Sequence, residues 1–214
     1  KRTAFPLIDF YDFVVDGNGS DFIFHGKMIP FIIEKSSNIK IINLNIDWEV
    51  PFTLEGLVVA NDTAKHTFDI EVKTPYVVEF DRLYLSLERE DSPYERKYGK
   101  RFAMWEHYNL EVAESIIWDP KTMAPLYNTK QYDTPERGVH AKELKKGLIR
   151  LQTEMEKVPP VGSIFVSKGD YLQNRTSPAF RVFKTKNLEL NNVNVYHAGS
   201  MGLIAERSEN ITLD

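Results

Sequence analysis

The chain has 214 residues, 42% hydrophobic and 27% charged, which suits one large soluble domain or two modest ones. A net charge of −4 with no dense Lys/Arg stripe leaves no nucleic-acid footprint, and zero cysteines exclude disulfides, thiolate metal sites and cysteine nucleophiles. No apolar run reaches the length of a membrane span.

At the amino end the chain starts with Lys1 rather than Met and shows no signal-peptide pattern, which predicts a processed or trimmed form. Phe13 and Val15 open a first alternating segment that runs into the turn sequence Asp16-Gly17-Asn18-Gly19. A fuller copy spans 31–48. There Phe31, Ile33, Ile39, Ile41, Leu44 and Ile46 alternate with polar residues, the period of a strand with one buried face. From 52 to 176 the pattern lapses. Strand-like runs at 54–60, 67–73, 76–80, 83–87 and 163–167 are bounded by turn residues and predict an antiparallel module, a small barrel or sandwich. Residues 88–140 are charged and aromatic and predict no definite element. Over 138–158 the composition suits an amphipathic helix, but Lys146-Gly147 interrupts it and Leu148-Ile149-Arg150-Leu151 favours a strand.

The first pattern returns at Phe180. Phe180, Val182, Leu188, Leu190, Val193 and Val195 fall on the six apolar columns of the earlier copy, and Asn187, Asn192 and Asn194 coincide with Asn38, Asn43 and Asn45. A third copy follows 23 positions on, with Leu203, Ala205, Ile211 and Leu213 apolar and Asn210 in the Asn38/Asn187 column. Each copy is too short to bury its apolar face alone, so the copies must stack. Short amide side chains at tight turns tolerate unusual dihedrals and pair with their neighbours when stacked. The predicted fold class is therefore all-β: a right-handed parallel β-helix over 1–51 and 177–214, interrupted by an inserted antiparallel β-barrel-like module over 52–176.

The informative face lies just past the second strand of each turn. One copy places Asp47-Trp48-Glu49 there, and the next places Tyr196-His197-Ala198-Gly199. Adjacent strands lie roughly 4.8 Å apart, so stacking brings these groups together. Two carboxylates, an indole and an imidazole on an open groove suit a sugar: acids for proton transfer, a flat ring for the sugar face. Taken singly, each is equally a solvated loop residue or a turn cap. A second column holds Glu34, Phe183 and Glu206, with Lys35, Lys184 and Arg207 beside it, and alternation places it outside as an ion-pair ladder of little energetic weight. Glu206, Arg207 and the outward Arg181 are further candidates for ligand contact. The five histidines never occur at metal-ligand spacing, so no metal is expected. Four Asn-x-Ser/Thr matches, at Asn18, Asn61, Asn174 and Asn210, are a pattern common by chance. No phosphate-binding glycine loop is present.

The opening Ile8-Asp9-Phe10 through Ser20, followed by Phe22-Ile23-Phe24-His25-Gly26, resembles the first turns of carbohydrate-active β-helix enzymes. The stretches Asn45 to Thr53 and Val195 to Gly202 resemble glycoside hydrolase family 110, bacterial α-1,3-galactosidases that remove terminal galactose and carry inserted β-barrel modules on a β-helix. The resemblance covers nearly the whole chain and is weakest across 88–140. It implies an exo-acting, inverting hydrolase with no metal or organic cofactor, a glycan ending in galactose as its partner, and a secreted or periplasmic bacterial protein. Its catalytic acids are expected after Asp214, which makes the chain an N-terminal fragment, inactive alone, that holds part of the sugar-binding wall. Two other readings compete. A polysaccharide lyase or polygalacturonase-like β-helix would want calcium-binding acids or a basic groove, and neither is evident. A non-catalytic sugar-binding β-helix would differ only in failing to hydrolyse a chromogenic α-galactoside.

Overall fold

A computed structural model describes residues 2–25, 28–49, 51–74, 76–79, 81–85, 108–109, 115–126, 128, 140–154, 156–167 and 177–214. The chain is all-β, and no helix occurs among the described residues. In chain order the strands are β1 (Arg2–Ile8), β2 (Tyr11–Phe24), β3 (Met28–Glu34), β4 (Ser37–Trp48), β5 (Leu54–Asp62) and β6 (Thr67–Val72). Then come β7 (Tyr76–Glu79), β8 (Arg82–Leu85), β9 (Tyr108–Asn109), β10 (Ser115–Asp119), β11 (Ala124–Pro125) and β12 (His140–Lys145). The last are β13 (Leu148–Gln152), β14 (Ile164–Ser167), β15 (Phe180–Phe183), β16 (Lys186–Val195), β17 (Leu203–Glu206) and β18 (Glu209–Leu213). Two compact units form, one from Lys1–Pro51 with Arg175–Asp214, the other from Phe52–Asn174.

In the first unit two four-stranded sheets run β1–β3–β15–β17 and β2–β4–β16–β18. Every pairing in them is parallel. The register is that of the sequence repeat: Phe31 beside Phe180 and Ile33 beside Val182 in one sheet, Ile39 beside Leu188, Ile41 beside Leu190, Leu44 beside Val193 and Ile46 beside Val195 in the other. The third copy joins in phase, Phe180 to Leu203 and Leu188 to Ile211. Alternation turns these columns inward, so Phe31, Ile33, Ile39, Ile41 and Ile46 are fully buried. Phe5, Phe31 and Phe180 stack ring on ring at 4.7 and 5.1 Å. Each large side chain buried this way contributes about 1.5–3 kcal/mol.

The corners are built by residues that accept a left-handed backbone. Lys35, Lys184 and Arg207 have φ near 50°, and three positions later Asn38, Asn187 and Asn210 have φ of 57°, 54° and 57°. Asparagine tolerates that region because its short amide bonds locally. The amides then run as ladders from turn to turn. Asn210 donates to Asn187, Asn187 to Asn38, and Asn38 to Asp12 at 3.0, 2.8 and 2.7 Å. Asn192 and Asn43 lead likewise to Asp16, and Asn194 and Asn45 to Asp21. Each ladder ends on an aspartate of the first turn, an acceptor that needs no donor beyond it. Between the left-handed positions sits a hydroxyl, Ser36, Thr185 or Ser208, which donates to a carbonyl of its own turn. Two of these hydroxyls also accept an amide of the preceding turn, Ser36 from Phe10 and Ser208 from Thr185.

The second unit holds a seven-stranded sheet, β11–β10–β14–β5–β6–β13–β12, and a three-stranded sheet, β7–β8–β9, both antiparallel throughout. Leu54, Val58, Phe68, Ile70, Ile149, Leu151 and Phe165 make its core. The segment read as helix or strand is a hairpin, β12 to β13, turning at Gly147 with φ of 81°. Helix loses there because Lys146-Gly147 breaks the period and Ile149 and Leu151 alternate inward. Of the stretch 88–140, only 108–109, 115–126, 128 and 140 fall within the described residues. Among the described residues antiparallel pairings outnumber parallel ones, a balance the repeat alone does not convey. Short strands joined by tight turns pair antiparallel, whereas parallel partners need long connections.

Candidate functional site

The structure brings Asp47 and His197 together at the end of the second strand of successive turns and places Trp48 inward. In β4, Ile46 and Trp48 have the same parity, so both point inward. Trp48 is 3% exposed and its ring packs on Phe24 at 6.0 Å. The expectation that Trp48 offers a flat face to an open groove is thereby corrected: the indole is core. Asp47 and Glu49 have the opposite parity and face outward.

Each outward carboxylate meets an imidazole from a neighbouring turn. His197 Nδ1 donates to Asp47 Oδ1 at 2.8 Å, bridging β4 to the end of β16. A carboxylate accepts only, so the proton sits on Nδ1. The same oxygen accepts the Trp48 backbone N–H at 2.7 Å, which fixes the carboxylate from two sides. His197 turns away from its strand with φ of 51°. On the other flank His25 Nδ1 meets Glu49 Oε2, and the Glu49 N–H donates to the Phe24 carbonyl at 3.0 Å, so the end of β2 lies beside the end of β4. All four side chains are partly exposed. His25 belongs to this row although no metal-ligand spacing marks it. Outward parity after Phe22 and Phe24, opposite Glu49, is the signal that finds it.

Arg181, Glu206 and Arg207 do not join this row. They lie on the other parallel sheet, Arg181 between Ile32 and Ile204 in register, Glu206 beyond Phe183. The ladder expected from that column is only partly one of ion pairs. Lys35 Nζ reaches Glu34 at 3.6 Å, but Lys184 Nζ and Arg207 Cζ lie 5.2 and 5.9 Å from the centre of the Phe183 ring. A phenyl ring interrupts the carboxylates, and its negative face takes the cations instead.

Among the described residues no three of His, Cys, Asp or Glu come together as metal ligands, and no helix is long and apolar enough to cross a membrane. The row offers two carboxylates and two imidazoles as hydrogen-bond acceptors and donors.

Residues 54–165, more than half the chain, match the family model described as GLAA-B beta-barrel domain I. All of the chain aligns with Alpha-1,3-galactosidase A of Shewanella woodyi at 31% identity over 215 residues, covering 32% of that protein. It aligns equally with Alpha-1,3-galactosidase B of Bacteroides thetaiotaomicron at 30% over 221 residues, and with that of Phocaeicola vulgatus at 28% over 214, again 32% of each. The chain spans about a third of the length of the curated relatives it matches.

Proposed function

This chain belongs to the GLAA-B beta-barrel domain I family, and from that premise we propose that it is the N-terminal portion of an exo-acting α-1,3-galactosidase, a glycoside hydrolase working with inversion. The observation that carries this reading is the alignment of every part of the chain, both units included, with proteins named alpha-1,3-galactosidase. The substrate is a glycan ending in α-1,3-linked galactose. In this reading the first unit is a right-handed parallel β-helix formed by 1–51 and 177–214, and 52–176 is a barrel inserted in one of its loops. Parallel pairing in the register of the 23-residue repeat supports the first part, and the division into two compact units supports the second.

The row His25–Glu49 and Asp47–His197 is one wall of the sugar site. Two oriented carboxylates accept sugar hydroxyls, and two imidazoles keep them from rotating away. Trp48 holds the wall from beneath. The acid and the base act from turns beyond this chain, and the reaction needs no metal or organic cofactor of its own. A secreted or periplasmic location follows from the resemblance to bacterial glycan-degrading enzymes. The test is to incubate the full-length protein with a terminal α-1,3-galactoside and follow the released sugar by NMR. Inversion of an α-linkage gives β-galactose first. The α anomer first would contradict inversion, and no release of galactose would contradict the activity.

A further inference from the structure

With Trp48 withdrawn into the core, the wall needs another apolar surface if it is to hold a pyranose. The register supplies one. Val195 pairs with Ile46, and the Tyr196 N–H donates to the Ile46 carbonyl at 2.8 Å, so Tyr196 stands beside Asp47 on the outward face. On the opposite flank β2 places Ile23 beside Asp47. Tyr196 is 49% exposed and Ile23 48%. Neighbouring strands lie about 4.8 Å apart, so the two apolar side chains bracket the carboxylate of Asp47 at one strand spacing each.

We propose that Tyr196, with Ile23, is the apolar platform of the sugar site, and that it takes the ring face of a terminal galactose whose hydroxyls reach Asp47 and His197. The proposal rests on reading the Asp47–His197 row as a sugar wall and names the residue that gives the wall its specificity. A galactopyranose has an axial 4-hydroxyl, which leaves contiguous C–H bonds on one face. Those bonds carry slight positive charge and are attracted to the negative face of an aromatic ring. Tyr196 has a further advantage over an aliphatic side chain, because its phenolic tip stays hydrated while the ring is covered. Polar and apolar groups therefore alternate across the strands as Ile23, Asp47, Tyr196, which matches a ligand with an apolar face and a hydroxylated rim. A charged polysaccharide finds no cationic surface in this row other than two imidazoles already engaged with carboxylates.

The experiment uses the full-length protein and methyl α-galactopyranoside, with affinity measured by calorimetry and the contacted sugar protons by saturation-transfer NMR. Tyr196→Ala is expected to weaken binding about tenfold, Tyr196→Leu nearly as much, and Tyr196→Phe to stay within about twofold of the parent. Saturation should concentrate on the sugar's contiguous C–H face. Melting curves check that each variant folds, and Tyr196→Leu retains apolar bulk should the alanine variant unfold. Unchanged affinity in Tyr196→Ala and Tyr196→Leu, with binding lost in Asp47→Ala and His197→Ala, would overturn the platform and leave the wall standing. Equal losses in Tyr196→Phe and Tyr196→Ala would also overturn it, by assigning the effect to the hydroxyl. Unchanged affinity in all of these variants would overturn the wall itself.

Discussion

His197 donates to Asp47 across 2.8 Å although 150 residues separate them in the chain. Only the stacking of β16 on β4 makes them neighbours, with the whole second unit intervening in sequence. The bond orients a carboxylate that also accepts its own neighbour's backbone N–H.

Removing that support tests the wall. Under the proposed activity, His197→Ala in the full-length protein should lower kcat/KM more than tenfold, a loss above roughly 1.4 kcal/mol of transition-state stabilisation. Fold stability should change little, since His197 is exposed. Steady-state kinetics on a terminal α-galactoside decide the matter, and a variant as fast as the parent would remove His197 from the site.

Trp48 calls for the opposite expectation. Its ring is core, so Trp48→Ala should destabilise the first unit by about 3–5 kcal/mol, as cavities left by large aromatic side chains do. Chemical denaturation should register the loss before any kinetic measurement is meaningful. Full stability with impaired catalysis would return the indole to the groove.

The apolar columns carry the first unit. Ile41 is fully buried and Leu190 nearly so, in register with one another. An aspartate at either place would be an unpaired charge facing aliphatic neighbours, which costs several kcal/mol or forces protonation. Ile41→Asp and Leu190→Asp should each abolish cooperative unfolding of this unit, as seen in thermal melts by circular dichroism. A melting temperature within a few degrees of the parent would show that the columns do not form its core.

Most of this unit was legible in the sequence, because inward columns of a stacked strand must repeat in phase and asparagine marks the left-handed corners. Parity also held the answer for Trp48: it lies two residues past Ile46 and shares its side, but the eye takes Asp47-Trp48-Glu49 as one cluster. His25 was harder. Asp16 pairs with Ile42 and Ser20 with Leu44, so β2 carries two extra residues and the first copy slips out of phase before it reaches Phe22. A Cβ on Gly17 would lie 2.4 Å from that of Leu44, and Gly19 has φ of 77°, so the bulge depends on its glycines. The hydroxyl column of Ser36, Thr185 and Ser208 was likewise visible only as three unremarked residues, since a serine in a turn has many possible partners.

That same bulge sets a pH response. Asp16 accepts the Asn18 N–H at 2.9 Å and the Asn43 amide at 3.1 Å, and these bonds, the backbone one foremost, hold its carboxyl below the ordinary value of 3.8. A depressed folded-state pKa stabilises the fold above the unfolded value, and that contribution fades as pH falls through the folded one. Melting temperatures of the parent and of Asp16→Asn should therefore converge as pH drops from about 5 to about 2. A gap that stays constant over that window would show that Asp16 takes no part.

The last expectation concerns the 214-residue chain by itself. Under the proposed inverting mechanism an acid and a base must flank the scissile bond, set roughly 6.5–9.5 Å apart. Asp47 and Glu49 are the outward carboxylates of the wall, but they leave one strand in the same direction, about 6–7 Å apart at their Cα atoms. Both are also engaged by imidazoles, which suits holding hydroxyls better than passing protons across a sugar. The turn stacked on them offers Tyr196 and His197 at that level and no carboxylate. A sugar on this wall would meet acids from one side alone. Purified 1–214 should therefore release no galactose from a terminal α-1,3-galactoside under conditions where the full-length protein turns it over, with the anomer followed by NMR. Robust turnover by the fragment would place both acids within these residues and displace the wall as the meaning of the Asp47–His197 pair.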